Sequence, residues 1–154
     1  MKTIFLAAAA AACMVTAAAA QLPPAEAAAK IRARQHNYKQ MAAAVRSINE
    51  QLRSGAPVLA EIRTRSRLIA GFAPQLLRWF PRGTGPEAGV RTRALPTIWS
   101  NHRAFTRAGA VLVVASRNFD RAARGGDVAA IRAAWPAVTR ACAGCHDDFR
   151  AEEH

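Results

Sequence analysis

The chain has 154 residues, with 22 Lys or Arg against 10 Asp or Glu and a formal net charge of +12 at neutral pH. That length holds one domain around a single core and is too short for two. The basic surface favours acidic partners, but the arginines are spread along every segment without interleaved aromatics, which argues against a nucleic-acid face.

Met1 and Lys2 are followed by an apolar stretch from Ile4 to Val15 and an alanine run ending Ala18-Ala19-Ala20 before Gln21. A positive start, a short apolar region and a small-residue site form a secretory signal peptide over residues 1–20. The stretch is too short for a permanent span, and no later segment approaches the roughly 18 apolar residues that a span needs. Export to the periplasm and a single domain over 21–154 are therefore expected. Cys13 lies in the leader and lacks the larger aliphatic residue three positions upstream that a lipoprotein site wants, so Cys142 and Cys145 are the cysteines of the processed chain.

Apolar residues then recur at spacings of three and four, and nothing alternates with period two, so the chain is all-α. The first helix opens at Pro23-Pro24, carries Ile31, Tyr38, Met41, Val45, Ile48 and Leu52, and stops at Ser54-Gly55. The second runs from Pro57 to Phe80, with a kink expected at Pro74. Pro81 to Leu95, rich in glycine and proline, is the one long connection. A third helix from Pro96-Thr97 to Gly125-Gly126 places Ile98, His102, Phe105, Gly109, Leu112, Ser116 and Phe119 on one face, which makes His102 a core histidine. Asp127 caps the fourth, where Ile131, Trp135, Val138, Cys142, Cys145 and Phe149 follow at intervals of 4, 3, 4, 3 and 4. Pro136 should bend it. Helices of this length with two short joints and one long one suit an antiparallel four-helix bundle.

Cys142, Cys145 and His146 sit at i, i+3 and i+4, so all three project from one helical turn. Cys-x-x-Cys-His is the attachment pattern of a c-type haem. Each thiol adds to a vinyl group, and the adjacent imidazole lies under the iron as an axial ligand. A structural zinc site needs four ligands, and the other histidines are only His36, His102 and His154. A thioredoxin-like pair follows a strand and opens a helix, whereas this pair closes one. One haem c per chain, covalently bound, is the cofactor expected.

Arg34-Gln35 with Tyr38 and Met41, Gly83-Thr84-Gly85, Ile98-Trp99-Ser100 and the run from Cys142 to Arg150 resemble the cytochromes c prime, a branch of the class II cytochromes c. The resemblance covers essentially the whole processed chain. It implies an iron held by His146 alone, Tyr38 at the distal position without ligating, Arg34 and Gln35 at the haem propionates, Arg93 at a loop contact to a propionate, and Arg150 one turn beyond His146 in the proximal pocket. The plainer reading of Arg34 is a solvated arginine. Met41 shares a face with Tyr38 and is either core packing or a sixth ligand. His36 points to the other side of the helix, and Trp99 and Trp135 fit core or haem-edge packing.

The resemblance implies a haem protein that binds nitric oxide and carbon monoxide and exchanges electrons. Its rival is a six-coordinate electron carrier with Met41 as distal ligand. A homodimer through the first two helices follows by the same analogy. No paired nucleophile and base stands out, so an enzyme is not indicated.

Overall fold

The computed structural model describes residues 22–152, and the leader lies outside them. Helix α1 covers Pro24–Arg53, with proline in its first turn where the missing N–H costs nothing. Its inner face carries Ile31, Arg34, Met41, Ala44, Ile48 and Leu52, all buried, and Ser54 ends it in an extended conformation. Helix α2 covers Leu59–Phe72. At Pro74 the chain does not merely kink. It changes helix type and continues as a 3-10 helix over Ala73–Trp79, because proline offers no donor to the α ladder.

The connection that follows holds one further 3-10 turn, Pro86–Ala88. The single third helix expected from the periodicity is in fact two. A one-turn helix α3, Thr97–Ser100, ends at Asn101, whose φ of −117° and ψ of 52° break the run. Helix α4 then covers His102–Gly125, with the Asn101 side chain accepting from the Ala104 amide at 3.3 Å. His102 thus heads α4 and is exposed, so it is not the core histidine that an unbroken helix would make it. Gly126, at a φ of +80°, closes α4 in the left-handed region that glycine adopts without strain.

Helix α5 covers Val128–Phe149, and Asp127 caps it as expected, accepting from the Ala129 amide at 2.9 Å. Pro136 is exposed inside it and the helix runs on through that position, where water can meet the carbonyl left without a donor. Together α1, α2 with its 3-10 extension, α4 and α5 form a four-helix bundle.

Helix α4 packs on α5 and on α2, and α2 packs on α1, whereas the backbones of α1 and α5 stand apart. At one end long side chains cross that gap: Trp135 Nε1 donates to Asn49 Oδ1 at 2.8 Å, and Arg132 donates to the Leu52 carbonyl. At the other end the gap is a cavity. Among the described residues there is no strand, only an isolated antiparallel bridge between Ala94 and Arg150, and no helix is long and apolar enough to cross a membrane.

Candidate functional site

The cavity between α1 and α5 has a volume of about 670 Å³, well within the range of small-molecule and cofactor sites. From α5, Cys142, Cys145 and His146 reach its wall, as their shared helical turn dictates. From α1, Arg34, Gln35, Tyr38 and Met41 face them across the space, and Arg93 and Arg150 also reach it. Ile69, Leu76, Phe80, Phe105 and Leu112 contribute to its apolar lining. His36 and His102 are exposed and do not line it.

The two cysteines are half-buried and are not joined to each other in a disulfide. Burial pushes both up, and Cys145 reaches about 11 with further contributions from Cys142 and Asp148. His146 goes the other way: burial first, then the charges of Arg150 and Arg93, hold its imidazole below its ordinary value. The neutral ring, the form that ligates metal, is therefore favoured at neutral pH.

Tyr38 packs its ring edge-on against Trp79, with centroids 5.4 Å apart, and against Phe80 at 6.2 Å. Burial pushes its phenol well above the usual range, and it lies near enough to both cysteines for their charge to act on it. Met41, three residues on, is buried on the same wall.

Arg34 is buried and is not a solvated arginine. Its Nη1 donates to Thr84 Oγ1 at 2.8 Å, and its Nη2 to the Thr84 carbonyl at 2.6 Å and to Thr92 Oγ1 at 2.9 Å. Its guanidinium also lies 4.6 Å from the Phe80 ring centre. Gln35 Nε2 donates to the Arg91 carbonyl at 2.8 Å. Arg150 caps α5 one turn beyond His146: its amide still donates to the His146 carbonyl at 3.1 Å, but the helix ends at Phe149 and the Arg150 backbone is extended where it bridges to Ala94. Thr84, Thr92, Trp79 and Phe80 are site-shaping residues that the sequence did not single out as such.

Two thiols and a neutral imidazole on one turn, facing a large apolar cavity ringed by arginines, fit a covalently bound haem. They define a c-type haem protein built on a four-helix bundle. The chain belongs to the cytochrome c' family, whose model matches residues 29–150. Members of that family bind haem c covalently. A cytochrome c' of Rhodospirillum rubrum is 31% identical over 109 residues, covering 70% of this chain and 72% of the relative. One from Rubrivivax gelatinosus is 38% identical over 68 residues, 44% of this chain, and the match spans about half (53%) of that relative. Cytochrome c' from Thermochromatium tepidum superposes with a TM-score of 0.76 at 27% identity, over 86% of this chain and all (100%) of that one. The nitric oxide complex of a variant of cytochrome c prime from Alcaligenes xylosoxidans gives 0.71 at 25% identity, over 84% of this chain and 97% of that one.

Proposed function

We propose that this chain is a periplasmic haem c protein whose iron takes His146 as its one protein ligand, with Tyr38 screening the open face, and that it binds nitric oxide and carbon monoxide and exchanges electrons. When bound, the haem supplies an iron that takes up diatomic ligands and passes single electrons. Cys142 and Cys145 anchor it. Arg34 and Arg93 would neutralise the anionic propionates, Gln35 would donate a hydrogen bond to one of them, and Arg150 puts a positive charge beside the proximal imidazole.

The observation that carries the reading is the make-up of the wall facing His146. Among the described residues no second histidine lines the cavity, and Tyr38 presents a phenol that burial keeps neutral and hence a poor ligand. Its bulk excludes water and obstructs any incoming ligand. The nitric oxide complex of the Alcaligenes xylosoxidans relative supports a gas ligand here by analogy.

Met41, buried on the same wall, favours a second reading, a six-coordinate electron carrier. The homodimer through α1 and α2 stays a proposal on family analogy. Stopped-flow mixing of the reduced protein with carbon monoxide tests the main reading. Tyr38→Ala should bind about tenfold faster or more, since two aromatic contacts no longer hold a ring in the way. Equal rates would reject the screening role.

A further inference from the structure

The segment 91–95 is tied down on two sides, and the ties meet at one oxygen. Toward α1, Gln35 holds the Arg91 carbonyl and Arg34 Nη2 donates to Thr92 Oγ1 at 2.9 Å. Toward α5, Ala94 bridges to Arg150, and the Leu95 amide donates to the Phe149 carbonyl at 3.1 Å. The Ala151 amide donates to the Arg93 carbonyl at 2.8 Å, and Arg93 Nε returns a bond to the Ala151 carbonyl at 2.8 Å. Thr92 Oγ1 also accepts from the Ala94 amide at 3.2 Å. One hydroxyl oxygen thus receives a donor from the α1 arginine and a donor from the residue that pairs with Arg150.

Each tie ends beside a group of the site. Arg34 precedes Tyr38 by four residues on the same face of α1, and both touch the Phe80 ring. The Arg150 amide donates to the His146 carbonyl at 3.1 Å. Holding the loop down does not need Thr92, because Arg34 already makes two bonds to Thr84 and three other hydrogen bonds fasten the α5 side. What Thr92 adds is the connection between the two sets.

We propose that Thr92 is a positioning residue that couples Tyr38 to His146 through the 91–95 segment, so that a ligand displacing Tyr38 alters the set of His146 on the far side of the cavity. The inference rests on the reading of Tyr38 and His146 as the two faces of one iron site. A contiguous network is only a route, and coupling must be measured as a departure from additivity.

The experiment uses the full holoprotein, with Thr92→Val, Thr92→Ala and Thr92→Ser each made alone and combined with Tyr38→Ala. The two readouts are the iron–histidine stretching frequency of the reduced protein by resonance Raman and the carbon monoxide association rate. Tyr38→Ala should shift the stretch in wild type and in Thr92→Ser, which keeps the oxygen, and leave it unmoved in Thr92→Val and Thr92→Ala. The rate effects of Tyr38→Ala and Thr92→Val should fail to multiply by about threefold or more. Rates that multiply, or a stretch that Tyr38→Ala shifts equally with and without the Thr92 oxygen, overturn the coupling. A wild type that is low-spin and inert to carbon monoxide overturns the iron-site reading and the coupling together, and its own reduced spectrum tells the two failures apart.

Discussion

The rings of Tyr38 and Trp79 meet edge to face, with centroids 5.4 Å apart and planes at 89°. Trp79 closes the 3-10 helix that begins at Ala73 and Pro74, and its ring also meets Phe72, with centroids 5.5 Å apart. The proline that ends α2 therefore helps to set the stiffness of the ring over the cavity. Such aromatic pairs contribute about 0.5–1.5 kcal/mol beyond burial. Trp79→Leu should loosen Tyr38 and speed carbon monoxide association about threefold to tenfold, with the haem still attached. Stopped-flow rates check it, and an unchanged rate would mean that Phe80 alone positions the ring.

Alkaline pH probes the same residue. Burial raises the Tyr38 phenol above its ordinary value of 10.0, so the fold favours the neutral form. Its contribution to stability is fully present below pH 10 and is lost as pH rises above that value, because the unfolded phenol ionises first. Urea midpoints should fall above pH 10 in wild type and fall less in Tyr38→Phe. No phenolate–iron charge-transfer band should appear in the oxidised protein between pH 7 and 10.

The loop contact of Arg34 should matter for stability. Thr84 is fully buried, and its hydroxyl accepts from Arg34 and donates to the Pro81 carbonyl at 2.8 Å. Thr84→Val keeps the shape and removes both bonds, leaving a buried guanidinium short of one acceptor. A loss of about 1–3 kcal/mol is expected from urea unfolding, with the carbon monoxide rate close to wild type.

The sequence made the haem turn and most of the bundle legible, because both rest on local spacing. Inward residues of α1 and α5 recur at three and four, and Cys142, Cys145 and His146 continue that rhythm into the cavity. The breaks were harder. A proline announces trouble at Pro74 but not which helix type follows, and Asn101 carries no signal as strong as glycine or proline, so α3 and α4 read as one helix and His102 as buried. The partners of Arg34 were hidden for another reason. Thr84 and Thr92 lie 50 and 58 positions along the chain, and only the tertiary path of the loop brings them to it. Arg150 leaves the helix for the same cause, a bridge to a distant Ala94.

Whether His146 is the only protein ligand to the iron is decided by the absorption spectrum of the reduced protein with and without carbon monoxide. With His146 alone on the iron, the reduced spectrum should be high-spin and carbon monoxide should convert it slowly, and a Met41→Leu variant should behave the same way. A low-spin reduced wild type that ignores carbon monoxide, beside a Met41→Leu variant that binds it, would rule out a single protein ligand and make Met41 the sixth ligand.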